Sequence, residues 1–300
     1  MPRPRLGVIS VHYRLRRLLV DQHRRLSACA APTRRALGRD LWYFPVVHHA
    51  SRPDIVAAAG EMSSPRSALS PLPRLPVAAV DLRGRPLVRR HHQDYLLEAY
   101  RELRRCRRLA ADDLVAVMDH DAHPLREDAL ALAAERLLAT GAAGIGIPQW
   151  HRGRCYLHPS FSLSRVETID AMGPELAFAS RRGPRKVGDT GEGFTVWCEE
   201  NGRPLSFLRV FSTAFPWREW DSDMAPGGAA ELVGEHGEPV HVGHLMRYGL
   251  PEGTPLFSHV WLLPLGTGYF SDHEPEEVLD AYLAEPLAQG QLSARRSRGC

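Results

Sequence analysis

The sequence predicts an α/β fold built on a mostly parallel, helix-flanked sheet, and three observations carry that expectation. Short uncharged apolar runs, such as Leu6 to Val11 and Leu114 to Met118, read as strands covered on both faces. Amphipathic stretches of helical period lie between such runs. The two kinds alternate through the first half of the chain, which is the rhythm of βαβ units. With 300 residues, 44% of them apolar, the chain can bury a substantial core in one large domain or two small ones.

The elements follow in order. Leu6 to His12 predicts the first strand. Leu15, Leu18, Leu19 and Leu26, with arginines between them, predict an amphipathic helix whose basic side is solvated. Leu41 to Val47 reads as the second strand, ending in His48-His49, and Asp54 to Glu61 as a short helix. Ser63 to Pro76 is rich in Ser and Pro, a loop rather than a domain linker. Pro76 to Leu82 predicts a third strand. Gln93 to Arg108 predicts a helix with Tyr95, Leu96, Ala99, Leu103 and Cys106 on its apolar side. Leu114 to Met118 is the fourth strand, Glu127 to Thr140 a helix and Ala142 to Gln149 a further strand. The second half is less regular: strands at Tyr156 to Leu163, Leu205 to Phe211 and His259 to Leu263, helices at Gly191 to Asn201 and Glu274 to Ala284. The expected organisation is one domain over residues 1–300. Residues 6–150 pass without a linker into 151–285, and 286–300 form a flexible tail.

Composition excludes some classes. A formal charge of +3 is too small to require a nucleic-acid partner. Lys186 is the only lysine, an arginine bias of the kind GC-rich coding produces, so arginine counts carry little functional weight. Met1 to Arg5 leads into an apolar run too short for a secretory core, and no later run approaches a membrane span. The five cysteines are scattered without zinc or redox spacing, as expected of reduced thiols in a cytoplasmic protein.

The most informative stretch is Leu114 to Asp121, an apolar strand that ends abruptly in Asp119-His120-Asp121. Packed interiors do not tolerate unpaired carboxylates. At the carboxyl end of a strand in an α/β sheet, however, such residues sit where ligands bind. Two hard oxygen ligands suit Mg²⁺ or Mn²⁺ shared with substrate phosphates. The competing reading is a polar strand-to-helix loop in which Asp121 or a neighbour caps the next helix.

In this order the segments resemble a family-2-type glycosyltransferase with the GT-A fold, which implies a nucleotide-sugar-binding half over 6–150 and an acceptor-side, catalytic half over 151–285. Gly7 to Tyr13 resembles the opening strand that meets the nucleotide base, which places Val11, His12 and Tyr13 at the donor. Val46 to Ser51 resembles the second strand and its turn, with His48 or His49 where the family often has an aspartate. Asp119 to Pro124 resembles the D-x-D element, and Tyr156 to Leu163 the strand near the acceptor. Gly188 to Gly193 resembles the segment presenting a catalytic carboxylate. The turn after the third strand departs from the family's pattern: Arg83-Gly84-Arg85-Pro86 stands there, with Arg89, Arg90, His91 and His92 beyond.

The resemblance implies transfer of a sugar from a nucleotide-diphosphate sugar to a hydroxyl of a small-molecule or glycan acceptor, with inversion. A secondary metabolite or a polysaccharide precursor would suit such an enzyme. Asp119 and Asp121 would hold Mn²⁺ or Mg²⁺ against the leaving diphosphate. His259 would return to the metal from late in the chain, with His244 as its rival. Arg90 and His92, at a helix start, would approach the diphosphate, and His120 would flank the metal. Asp189 is the first choice of general base and Glu192 the second; the competing reading makes both of them helix N-terminal groups. His158, and Trp217 with Trp220, are candidate acceptor contacts. A homo-oligomer is compatible with the sequence. Three other readings stand beside this one. A sugar-nucleotide nucleotidyltransferase would want a Gly-rich loop after the first strand. An inactive GT-A-like binding module would not need the acidic pair. A His-rich metallohydrolase would want H-x-H or H-E-x-x-H.

Overall fold

The computed structural model describes residues 4–12, 15–64, 75–85, 92–151, 154–179, 181–182, 185–186, 190–213, 245–251, 253, 255–260 and 275–290. The first half alternates as the sequence predicts: β1 (Arg5–His12), α1 (Arg16–Leu37), β2 (Asp40–Val47), α2 (Pro53–Ser63), β3 (Val80–Asp81), α3 (His92–Arg105) and β4 (Leu114–Met118). β5 (Ala122–Pro124), α4 (Ala129–Thr140), β6 (Gly144–His151) and β7 (Arg154–Arg165) follow. The remainder comprises α5 (Val166–Met172), α6 (Pro174–Ala179), β8 (Arg181–Arg182), β9 (Arg185–Lys186), α7 (Glu192–Glu200), β10 (Leu205–Phe207), β11 (Arg209–Thr213), β12 (Leu245–Gly249), β13 (Pro255–Val260) and α8 (Pro275–Ala284).

Seven strands form the main sheet in the order β10-β6-β7-β4-β1-β2-β3, with β7 the one antiparallel member. This is the mostly parallel, helix-flanked α/β architecture expected. Although β4 is apolar throughout, its residues part by parity. Leu114, Ala116 and Met118 join the core under α1, α2 and α4, while Val115 and Val117 join the core under α3, α5, α6 and α7. The chain runs outward from β1 through β2 to β3, then returns past β1 to β4. The crevice between the carboxyl ends of β1 and β4 is therefore a topological switch point, where ligands bind in open α/β sheets.

A second, antiparallel sheet, β11-β12-β13-β5, starts where β4 stops. Ala122 pairs with His259, His123 with Ser258 and Pro124 with Phe257. Phe257 also stacks on Phe161 of β7 at 3.8 Å, an aromatic contact that ties the two sheets together.

Several expectations are corrected. The third strand shrinks to Val80–Asp81, preceded by one bridge from Val77 to Tyr43. Leu205 to Phe211 divides between the two sheets as β10 and β11. The late strand begins at Pro255, four residues before His259. Cys106 lies beyond α3 and is exposed. Arg25 of α1, expected on a solvated face, is fully buried against Asp21. Residues 286–290, expected to begin a tail, instead pack on the segment after β5: Ala288 bridges Arg126 and exchanges backbone hydrogen bonds with Leu125 and Glu127.

Two glycines separate backbone strain from crowding. Gly38 closes α1 at φ +65° with open space where a Cβ would stand. Gly191 enters α7 at φ +88°, and a Cβ there would collide with the Leu157 carbonyl oxygen of β7. Gly38→Ala should cost about 1 kcal/mol, the left-handed penalty alone, and Gly191→Ala at least ~2 kcal/mol more. Urea unfolding of both variants checks this; equal losses would mean that the approach of α7 to β7 does not demand the glycine.

Candidate metal centre

β4 ends at Met118, and the next three residues turn the chain from the first sheet into the second. The Ala122 amide donates to the Asp119 carbonyl at 3.1 Å, and the Asp119 amide to the Ser160 carbonyl at 3.3 Å. Both carboxylates are thus presented at the joint between sheets. The register of β13 on β5 sets His259 opposite Ala122, beside them. One ligand atom each from Asp119, Asp121 and His259 falls within 4.8 Å of the others. His259 Nε2 is 3.4 Å from Asp121 Oδ1, and all three side chains are largely removed from solvent. Two carboxylates and an imidazole form a donor set that suits a divalent ion, with the hard oxygens favouring Mg²⁺ or Mn²⁺. Asp119 Oδ1 is buried with no hydrogen-bond partner among the described residues, as expected of a lone pair meant for a cation.

The turn is clamped from beneath. Gln22 of α1 donates both protons of its side-chain amide, to the Asp119 carbonyl at 2.9 Å and the Ala122 carbonyl at 2.8 Å. That fixes the amide's orientation, so Gln22 Oε1 accepts from the Tyr43 hydroxyl at 2.8 Å. Tyr43 has then spent its only proton. The 2.7 Å contact between Tyr43 and His12 must therefore be His12 Nε2–H donating to the phenol oxygen. From the other side, the Tyr282 hydroxyl of α8 donates to the Asp121 carbonyl at 2.7 Å.

Burial first, and the neighbouring His120 second, push His12 down to about 3, so the ring is neutral at physiological pH, and the relay puts its one proton on Nε2. The Tyr282 ring stacks on His123 at 4.0 Å. His123 lies between Asp21 and Glu285, whose oxygens are 3.1 and 3.3 Å from its two nitrogens. For Asp21 burial works upward, but the hydrogen bond from His123 and the charge of Arg25 outweigh it and hold the carboxyl at about 2.

The other sequence-predicted residues are distributed as follows. The side chain of Val11 packs in the core rather than facing the switch point. His120 lies edge-on to His12 with ring centroids 6.3 Å apart. His92, at the start of α3, places Nε2 3.5 Å from Asp119 Oδ1. His48 stacks on Tyr95 at 3.9 Å, and its Nδ1 accepts from the Ala50 amide at 3.2 Å. Burial, then His49, lowers it to about 4. Glu192 is buried in the first turn of α7, where the helix dipole favours a carboxylate. Tyr13, Arg89, Arg90, His91, Asp189, Trp217, Trp220 and His244 lie outside the described residues.

Sequence reading missed Gln22, Tyr43, Ser160 and Tyr282. A signal existed for Gln22, which falls four residues after Leu18 and four before Leu26, so a polar amide interrupts an apolar stripe. Nothing in the sequence marked the other three.

No family model matches the chain, and no curated protein sequence matches it. Among solved structures, it is similar to a mannosyltransferase from Pyrobaculum calidifontis in complex with GDP-Man and Mn²⁺, at 17% identity and TM-score 0.48. That match covers 69% of this chain and 55% of the other, so this chain spans about half of the mannosyltransferase's length. It is also similar to 4-diphosphocytidyl-2C-methyl-D-erythritol synthase from Anaerococcus prevotii, at 12% identity and TM-score 0.41, covering 68% and 88% of the two chains. An active-site variant of LgtC matches at 11% identity and TM-score 0.36, covering 69% and 74%. Similarities at this level carry no weight for activity, which rests on the site. No helix among the described residues is long and apolar enough to cross a membrane.

The His12 relay yields a pH dependence with a definite sign. His12 titrates near 6.5 when unfolded and at about 3 when folded. Between those values the unfolded chain binds the extra proton, so stability is full above pH 6.5 and falls as pH drops toward 3. Linkage puts the loss from this one group at roughly 2–3 kcal/mol by pH 4.5. Urea unfolding at pH 7.5 and 4.5 should show that loss in the parent, and His12→Gln should flatten it. An unchanged slope in the variant would place the acid sensitivity elsewhere.

Proposed function

We propose that the chain is a divalent-metal-dependent glycosyltransferase of the family-2, GT-A type. It would move a sugar from a nucleotide-diphosphate sugar to a hydroxyl of a small-molecule or glycan acceptor. The observation that supports this best is the convergence of Asp119, Asp121 and His259, from two different sheets, at the switch point between β1 and β4. A divalent ion there supplies electrostatic stabilisation of the charge that gathers on a departing diphosphate. Asp119 and Asp121 offer it hard oxygens, and the His259 imidazole shifts the preference from Mg²⁺ toward Mn²⁺.

The chain's own residues divide the remaining work. The end of β1 and the His48–Tyr95 stack form the side on which the nucleotide is read. Gln22 and Tyr282 hold the backbone of the acidic turn, so the carboxylates need no reorganisation when a ligand arrives. Asp189, just ahead of α7, is the proposed base that takes the proton of the attacking hydroxyl in a single, inverting displacement. The burial of Glu192 in the first turn of α7 supports a structural part for that second carboxylate.

Calorimetry with Mn²⁺ and a panel of nucleoside diphosphates tests the site. Metal and nucleotide should each tighten the other's binding, and Asp121→Asn should weaken metal-dependent nucleotide binding at least ~10-fold. Equal nucleotide affinity in that variant and the parent, with Mn²⁺ present, would sink the reading. For the chemistry, Asp189→Asn keeps the side chain's size but cannot accept the proton. It should bind donor normally and lose transfer by at least ~10²-fold, while Glu192→Gln does less. The reverse ranking would move the base to Glu192.

A further inference from the structure

Ser160 is fully buried inside the triad, and the local backbone explains how it gets there. β6 and β7 are paired at Gly146–Ser162 and again at Ile147–His158, so residues 159–161 bulge out of the ladder. A Cβ on Gly146 would press on the Phe161 carbonyl and the Ser162 backbone, so the glycine admits the bulge. The bulge turns Ser160 Oγ toward the joint between the sheets, 3.4 Å from Asp119 Oδ2 and 3.2 Å from His259 Nε2.

The hydroxyl proton has two places to go. Ser160 Oγ donates to Asp119 Oδ2 at 3.4 Å, and His158 Nδ1, which accepts from the Ser160 amide at 3.2 Å, lies 2.5 Å from the same oxygen. A cation held by Asp119 would repel the proton on the first contact and favour the shorter one to His158, which turns a lone pair of Ser160 Oγ toward the ion. The spacing is also that of a coordination shell. Ligands about 2.1 Å from one ion stand about 3.0 Å apart as octahedral neighbours and about 3.4 Å apart as tetrahedral ones. The observed separations are 3.2 Å for Ser160–His259 and 3.4 Å for both Ser160–Asp119 and Asp121–His259.

We propose that Ser160 Oγ is a fourth protein ligand of the cation held by Asp119, Asp121 and His259, with His158 accepting the hydroxyl proton so that a lone pair faces the ion. This rests on the metal reading of the triad and adds a ligand to it.

The test reads metal binding, not turnover. Mn²⁺ is titrated by electron paramagnetic resonance and Co²⁺ by visible absorption, in the parent, Ser160→Ala, Ser160→Cys and Asp121→Asn, with melting temperature as the fold control. Ser160→Ala should melt like the parent and bind Mn²⁺ at least ~10-fold more weakly. Ser160→Cys should give the Co²⁺ form a thiolate-to-metal charge-transfer band that the parent lacks, and should shift preference from Mn²⁺ toward Zn²⁺. Parent-like Mn²⁺ affinity in Ser160→Ala overturns the proposal. So does weakened Mn²⁺ binding without a charge-transfer band in Ser160→Cys, since Ser160 would then only position its neighbours. If Ser160→Ala fails to fold, the Ser160→Cys spectrum decides. If the parent binds neither ion, the triad itself is not a metal site and this inference falls with it.

Discussion

The register of β13 on β5 is the constraint on which the site depends. Side chains alternate along a strand, so a slip of one residue would turn His259 away and bring Ser258 or Val260 beside the acidic turn. Only three residue pairs define that register, too few to specify it by backbone hydrogen bonds alone. It is fixed by what flanks it. The Phe161–Phe257 stack anchors β13 to the bulge of β7, and the Leu125 amide donates to the Leu256 carbonyl just past β5. The packing that brings Ser160 inward and the packing that brings His259 inward therefore share one aromatic contact.

Charge burial beneath the turn reinforces the same geometry. Arg25, Asp21, His123 and Glu285 are all buried, and Arg247 reaches Glu285 from β12 at 2.6 Å. Such a cluster contributes little net stability, because desolvation offsets most of the attraction. Removing one member is another matter, since it strands its partner and typically costs ~3–5 kcal/mol. Its value here is positional: α1, β5, β12 and the segment after α8 can satisfy these charges in one arrangement only. Arg25 also donates to the Glu285 carbonyl at 2.6 Å, which ties the chain's last described segment to its first helix.

Much of the fold was legible in the sequence because the strands of the main sheet are buried on both faces and announce themselves as uninterrupted apolar runs. Leu114 to Met118 ending in Asp119-His120-Asp121 is the clearest case, and the structure keeps its boundaries. The second sheet was much less legible. β5 is three residues long and contains His123 and Pro124, and its burial depends on partners more than a hundred residues away. Arg25 read as solvated because its partners other than Asp21, the Pro124 and Glu285 carbonyls, come from distant parts of the chain. Ser160 was invisible for a related reason: a bulge is a mismatch between two strands, and neither strand's sequence shows it alone. Asp119, Asp121 and His259 could each be suspected from residue type and order, but their convergence is a fact of register.

The electrostatics of the switch point narrow what can counter a bound diphosphate. His12 is held neutral by burial and by a relay that uses its Nε2 proton on Tyr43. Burial likewise keeps His48 neutral, while its Nδ1 lone pair is engaged by the Ala50 amide. Burial therefore leaves neither imidazole positively charged near neutral pH. The carboxylates of Asp119 and Asp121 would repel a diphosphate, and Asp119 Oδ1 makes no hydrogen bond among the described residues, with His92 Nε2 3.5 Å away. On the proposed reading, a multivalent cation between them lets an anionic donor and an acidic turn share the crevice. The acidic turn that would by itself repel the proposed nucleotide sugar would, with an ion bound, be what holds it.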